Sequence, residues 1–140
     1  MEYIGHLEGE RTQLLIEHLK GTAELCESFA AKFGKEQWGY CCGLLHDIGK
    51  YSSEFQERIR GESNAEVDHS TAGAQICMKR DGLYSFISYC IAGHHSGIPD
   101  YGNYRDTGSV SSLAGRMKKK ICDYSAYKKE VRIPNLDTCL

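Results

Sequence analysis

The chain of 140 residues has no apolar run long enough to cross a bilayer, which takes about 20 consecutive apolar residues. Its longest apolar-looking stretch, 84–93, is short and broken by Ser85 and Ser88. No secretory leader is expected, because Glu2, His6, Glu8 and Glu10 interrupt any apolar segment at the start. There is no C-x-x-C pair: of seven cysteines, Cys41 and Cys42 are adjacent and the rest are scattered, which argues against a zinc knuckle. An odd cysteine count without a leader also argues against a disulfide framework. These absences point to a reducing cytoplasm, with most cysteines acting as small core hydrophobes. The formal charge of −2 and pI near 6.3 exclude a protein that grips nucleic acid by bulk electrostatics. No repeat, no low-complexity segment and no convincing strand pairing is visible.

What is present fits one ordinary globular domain over residues 1–140, with 41% apolar and 26% charged residues. Residues 1–10 read as an irregular or short extended lead-in. Over 11–33, Leu15, Leu19, Thr22, Cys26, Phe29 and Phe33 step by fours and threes, the stripe of an amphipathic helix, with Gly34 as its stop. Gly21 within it is expected to allow another element to approach closely. A second helix is expected over 35–48, which places His46 and Asp47 in its last turn before Gly49. Ser53 and Gln56 resemble a capping box for a short helix carrying Phe55 and Ile59. Asp68-His69-Ser70 then opens a helix running to Arg80, ended by Asp81-Gly82. A further helix over 83–93 is expected to bury Phe86, Ile87, Cys90 and Ile91, with His94 and His95 at its end. A long loop, 96–109, precedes a last helix from Ser111 or Ser112 to Tyr124, and Pro134 marks an irregular tail. The fold class is therefore all-α, an orthogonal helical bundle.

Residues 110–140 form a basic C-terminal helix and tail. Between 116 and 132 lie Arg116, Lys118, Lys119, Lys120, Lys128, Lys129 and Arg132 against Asp123 and Glu130. A solvated helix face explains such a run, and a phosphate-backbone or partner contact through Lys118, Lys119 and Lys120 is the sharper alternative.

The histidines carry the chemistry. His18, His46, His69, His94 and His95 all fall on helix edges or ends, as does Asp47. Each alone is explained as a capped or hydrogen-bonded histidine. Together they imply helix ends converging on a shared cleft. Imidazoles with one carboxylate suit a borderline transition ion such as manganese, iron, cobalt, nickel or zinc rather than calcium. Asp47 has two oxygens and could bridge two ions about 3.5–4 Å apart, an arrangement suited to phosphoester hydrolysis. Lys50 could neutralise charge growing on the phosphoryl group.

At these residues the chain resembles a known family. GLLHDIGK, DHSTAGA and IAGHHSGIPD are similar to the HD-superfamily nuclease domain of the CRISPR-associated helicase-nuclease of type I systems, with EHLKGTAEL matching that family's first ligand helix and GHLEG its lead-in. The resemblance implies the all-helical HD bundle, metal-ligand roles for His18, His46, Asp47, His69, His94 and His95, and a catalytic or phosphate-contacting role for Lys50 beside a catalytic Asp47. It further implies two divalent metal ions (manganese, iron, cobalt or nickel, with magnesium admissible) and cutting of single-stranded DNA in antiviral interference. The implied partners are the surveillance complex and a helicase domain in cis or in trans, and no membrane. His6 lies where the family often has a histidine.

Two departures stand out. The family carries a further aspartate in a later apolar helix, and only Asp106, Asp123 and Asp137 could substitute. The domain is accordingly expected to be truncated before the last metal-ligand helix. The helicase domains are also absent from the chain. These departures keep open an HD phosphohydrolase of small nucleotides and a catalytically silent docking module.

Overall fold

In α1, Leu15–Ala30, the buried residues are Leu15, Leu19, Ala23 and Ala30, so one face of the helix lies in the core. This computed structural model describes residues 2–80 and 82–136. Helix α1 begins four residues later than the apolar stripe suggested. Arg11–Leu14 (β2) pairs antiparallel with Ile4–Glu8 (β1), in the register His6↔Gln13, Leu7↔Thr12 and Glu8↔Arg11. Gly9 turns the chain at φ +59°, a conformation glycine adopts without steric penalty. Most of the hairpin's side chains are exposed, so it lacks the alternating apolar face by which a strand is recognised.

The far end of the stripe also differs. Phe29 and Phe33 are 61% and 70% exposed. The reason is the way α2, Glu36–Leu45, returns along α1. A Cβ on Gly39 would stand 2.3 Å from the Cys26 carbonyl oxygen, and one on Gly43 2.7 Å from the Ala23 Cα. Such close backbones leave no room between them for a phenyl ring, so the aromatics lie at the flanks. Gly21, where close approach was expected, has nothing within 4 Å of its missing Cβ.

Helix α2 ends at Leu45 rather than at 48. His46 is its C-cap, and Asp47 (φ −116°, ψ 23°) leaves helical geometry before a 3-10 turn, Ile48–Tyr51, that buries Ile48 and Tyr51. Helix α3, Ser53–Ile59, is capped by Ser52, whose Oγ accepts from Phe55 N at 3.1 Å. The expected Ser53 and Gln56 box does not form. Gln56 is instead buried: its Oε1 accepts from Ile4 N at 2.8 Å, and its Nε2 donates to Ile4 O at 3.0 Å and Lys50 O at 2.9 Å. It therefore ties the hairpin to the turn after Asp47.

Helix α4, Thr71–Arg80, is buried from Thr71 through Cys77 and forms the centre of the bundle. Asp68 caps it from outside, so His69 precedes the first turn instead of lying in it. The proposed stop at Asp81 lies outside the described residues. Gly73 is what lets α4 meet the end of α2, since a Cβ there would be 2.1 Å from the Leu45 carbonyl oxygen. Gly73→Ala should therefore destabilise the fold by about 1–3 kcal/mol despite alanine's better helix propensity, as a denaturant titration would show.

Helix α5, Tyr84–Gly93, buries Ile87, Ser88 and Ile91, whereas Phe86 and Cys90 are exposed. Helix α6 is only Leu113–Lys118, not a helix to 124. Its end is fixed from inside: buried Gln75 donates from Nε2 to both Arg116 O and Lys119 O, each at 2.9 Å. A 3-10 turn, Ser125–Lys129, follows. The tail is held by Tyr51, which donates to Glu130 Oε1 at 2.7 Å, and by Tyr84, which donates to Pro134 O at 2.7 Å. One apolar cluster runs from Leu15 to Leu136. No helix among the described residues is long and apolar enough to cross a membrane.

Candidate metal centre

The same local device ends α2 and α5. A helix leaves its last carbonyls without intrahelical partners. His46 supplies such a partner by donating from Nδ1 to Gly43 O at 2.6 Å, and His94 donates from Nδ1 to Ile91 O at 2.7 Å, beside its own backbone N–H at 3.4 Å. A carbonyl oxygen can only accept, so each Nδ1 carries a proton; in the neutral ring Nε2 then presents its lone pair to the cleft, and in the protonated ring it donates to Asp47. A backbone carbonyl orienting the rear of a histidine in this way is the usual support of a metal-ligating ring.

Both rings aim at Asp47, whose side chain is 6% exposed. Around its Oδ2 stand His18 Nε2 at 2.8 Å, His46 Nε2 at 3.1 Å and Lys50 Nζ at 3.1 Å. Around Oδ1 stand His94 Nε2 at 3.1 Å and His69 Nε2 at 3.6 Å, with His95 Nε2 a further 2.9 Å from His69 Nε2. Two overlapping donor groups result: His18, His46 and Asp47, and Asp47, His69, His94 and His95. Within each, the donor atoms all lie within 4.8 Å of one another.

The residues fit a metal pair. Donors on one ion at about 2.1 Å and ordinary coordination angles are separated by roughly 3.0–3.4 Å, close to the spacings around Asp47. Imidazole lone pairs facing a carboxylate oxygen repel unless a cation or proton lies among them. The nitrogen-rich donor set matches a borderline transition ion. Burial disfavours the charged form of Asp47, but hydrogen bonds with His18, His46 and His94 outweigh it and hold the carboxyl far below the ordinary range. His69 and His95 are pushed toward the neutral, ligating form, chiefly by desolvation. Burial acts the same way on His94, but its bonds to Asp47 and Ile91 raise it on balance.

The HD domain family matches residues 15–134. The chain belongs to the HD domain family. No curated protein matches it. HD domains are metal-dependent phosphohydrolases of largely helical fold, and the His and Asp cluster of this HD domain could hold the divalent ions that such chemistry uses.

The structure brings together His18, His46, Asp47, Lys50, His69, His94 and His95. Lys50 is largely buried: its Nζ donates to Gly5 O at 3.0 Å as well as to Asp47, and it lies 5.3 Å from the centroid of the Phe55 ring. Phe55 also packs edge-on against His69, with centroids 5.1 Å apart. His6 is apart from the cluster, exposed beside Glu8 at 3.8 Å. Of the late aspartates, Asp106 accepts from Asn103 N and Ser112 Oγ, and Asp123 accepts from Ser125 N. Neither is in a donor group, and Asp137 lies outside the described residues. Lys118 donates to the carbonyls of Tyr104 and Asp106, and Lys119 pairs with Asp68 at 2.7 Å; Lys120 is exposed.

Two residues support the site in ways not read from the sequence, where Asp68 stands only as part of a helix opening and Arg116 only as part of a basic run. Asp68 Oδ1 accepts from Ser70 N and Thr71 N, both at 3.1 Å, and its Oδ2 accepts from Thr71 Oγ1 and Lys119. An aspartate just before a helix is a recognisable cap, and that signal stood in DHST. Arg116, hidden in the basic run, had no such signal. Burial opposes ionisation of Asp68, but its bonds to Lys119 and Thr71 overcome this and lower its pKa. Because the folded-state pKa lies below the unfolded value near 4, its contribution is present above that pH and lost as pH falls through the folded value. Asp68→Ala should destabilise the chain by about 1–2 kcal/mol at neutral pH, with the gap from the parent narrowing in acid. Urea midpoints measured across the acid range would check this.

Proposed function

We propose that this HD domain is a metal-dependent nuclease that hydrolyses phosphodiester bonds of single-stranded DNA in CRISPR interference. The observation carrying this reading is the Asp47 carboxylate shared by two donor groups, with one oxygen turned to His18 and His46 and the other to His69 and His94. A bound pair of divalent ions would supply Lewis acidity and a lowered pKa for water. The chain's own part is positional. Gly43 and Ile91 carbonyls fix the orientation of His46 and His94, and Lys50 holds Asp47 against the hairpin through Gly5. Beside His95 an open polar groove of about 330 Å³ is lined by Ser96, Ser109, Ser111, Arg116 and Lys119 together with Asp68, the partner of Lys119, and its hydroxyls and cations are the groups a phosphate backbone would meet. Lys119, which lines it, and the exposed Lys120 next in the chain are the candidates for phosphate contact. The ordered HDIGK, DHS and GHH motifs favour the CRISPR branch, with a surveillance complex and a helicase as partners and the cytoplasm as location.

Pure protein incubated with manganese and circular single-stranded DNA should produce fragments. Circles left intact under manganese, iron, cobalt, nickel and magnesium in turn would overturn the nuclease reading. Nucleotide turnover without DNA cleavage would redirect it to small substrates.

A further inference from the structure

The three helices that present His18, His46 and His94 carry a second layer of side chains. Cys42 lies four residues before His46 on α2, and Cys90 four residues before His94 on α5, so each thiol is one helical turn below an imidazole. Cys26 lies eight residues after His18 on α1. The three cysteines line one apolar pocket of about 340 Å³, walled by Phe29, Trp38 and Phe86. Its rim is open, since Phe29 and Phe86 are exposed, as is Cys90 itself.

Within that layer Cys42 donates an S–H hydrogen bond to the sulfur of Cys90. The three thiols do not converge as a ligand set: among the described residues only the imidazole and carboxylate groups bring three donors within 4.8 Å. The neighbouring Cys41 turns the other way, into the core, where it hydrogen-bonds with Cys77 and both are buried. One pair is thus accessible and one is sealed.

We propose that Cys42 and Cys90 are a reversible dithiol–disulfide pair, oxidised by a hydroperoxide, whose closure braces the two helix ends bearing His46 and His94. The hydrogen bond from Cys42 stabilises the Cys90 thiolate and brings its pKa down to about 6, while the Cys42 thiol is pushed up by the same bond and by burial. Cys90 is therefore the attacking sulfur. Its thiolate displaces hydroxide from the peroxide, giving a sulfenic acid and, after protonation, water. The Cys42 sulfur then attacks the sulfenic sulfur; the S–S bond forms, the S–O bond breaks, and the thiol proton leaves with the hydroxyl as a second water. Two thiols lose two electrons to one peroxide. A dithiol reductant reverses the step.

The test is thiol mapping of the full chain after treatment with hydrogen peroxide, alkylation, digestion and mass spectrometry. A Cys42–Cys90 linked peptide should form and disappear with dithiothreitol, while Cys41 and Cys77 stay unlinked. Cys42→Ser should leave a sulfenic acid at Cys90 that dimedone traps, and Cys90→Ser should give neither product. Manganese titrated into oxidised and reduced chain should bind several-fold more tightly to the oxidised form. A Cys90 that stays reduced, over-oxidises without linking, or links to another cysteine would overturn the pair. Equal manganese affinity would overturn the brace. None of these readouts involves DNA, so their failure is separable from failure of the nuclease reading.

Discussion

Asp47→Ala is expected to reduce bound transition metal to one ion per chain or none and to lower hydrolysis by more than about 100-fold, the upper end of what loss of a mere supporting group produces. The size follows from geometry: the carboxylate is the one donor common to both groups. A substitution at His18 removes a donor from one group alone, so His18→Ala should leave the group containing His69 and His94 able to hold an ion. Metal analysis after gel filtration separates the two outcomes. The metal-free chain should also lose stability. Asp47 is the counter-ion of Lys50, whose side chain is 13% exposed, and leaving one partner of a buried pair alone costs about 3–5 kcal/mol. Asp47→Asn keeps the volume but not the charge and should fail in the same direction. Retention of two ions by Asp47→Ala would show that the donors do not act as one centre.

The histidine constellation was legible because its signal is local. A histidine three residues beyond a last-turn helix carbonyl, as in Gly43 to His46 and Ile91 to His94, is oriented by the helix end itself, and the sequence placed these two ends close to where they fall. The helical elements were legible for the same reason. What was not legible depended on partners distant in the chain. The hairpin of Ile4–Glu8 with Arg11–Leu14 has no apolar alternation, and its anchor is Gln56, 52 residues away from Ile4. Phe29 and Phe33 read as core because aromatics in an amphipathic stripe are usually buried, yet the glycines of α2 bring its backbone too close to α1 for rings, and Phe86 on α5 stacks on Trp38 at the rim instead. The last helix was expected to reach Tyr124, and the buried amide of Gln75 ends it at Lys118 by taking the carbonyls of Arg116 and Lys119. Charge counting likewise grouped Arg116, Lys118 and Lys119 as one solvated face, although each has internal acceptors.

Arg116 leads to the second large expected effect. Its guanidinium reaches from α6 to the start of α4 and the end of α5 at once: Nη2 donates to Ser70 Oγ and Thr71 Oγ1, both at 2.8 Å, Nε donates to Thr71 Oγ1 at 3.1 Å, and Nη1 donates to Ala92 O. Ser70 follows His69 directly, and Ala92 lies two residues before His94. One planar cation therefore sets the separation of two candidate ligands it does not touch. Thr71 Oγ1 accepts from Arg116 while donating to Asp68 at 2.6 Å, and Asp68 in turn holds Lys119, so the clamp continues into the cap of α4. Arg116→Ala would leave these acceptors unpaired at partly buried positions, with an expected loss of about 2–4 kcal/mol, since each bond to a charged donor contributes about 1.5–3 kcal/mol before relaxation. Arg116→Lys should recover little of it, because a single ammonium cannot span three acceptors that a guanidinium fork reaches together. Metal binding should separate the clamp's local effect from its global one. Under conditions where both variants remain folded, the ion held by Asp47, His69, His94 and His95 should weaken while the ion at His18, His46 and Asp47 persists. An unchanged denaturation midpoint, or equal weakening of both ions, would show that Arg116 does not position the His69 and His94 side of the centre.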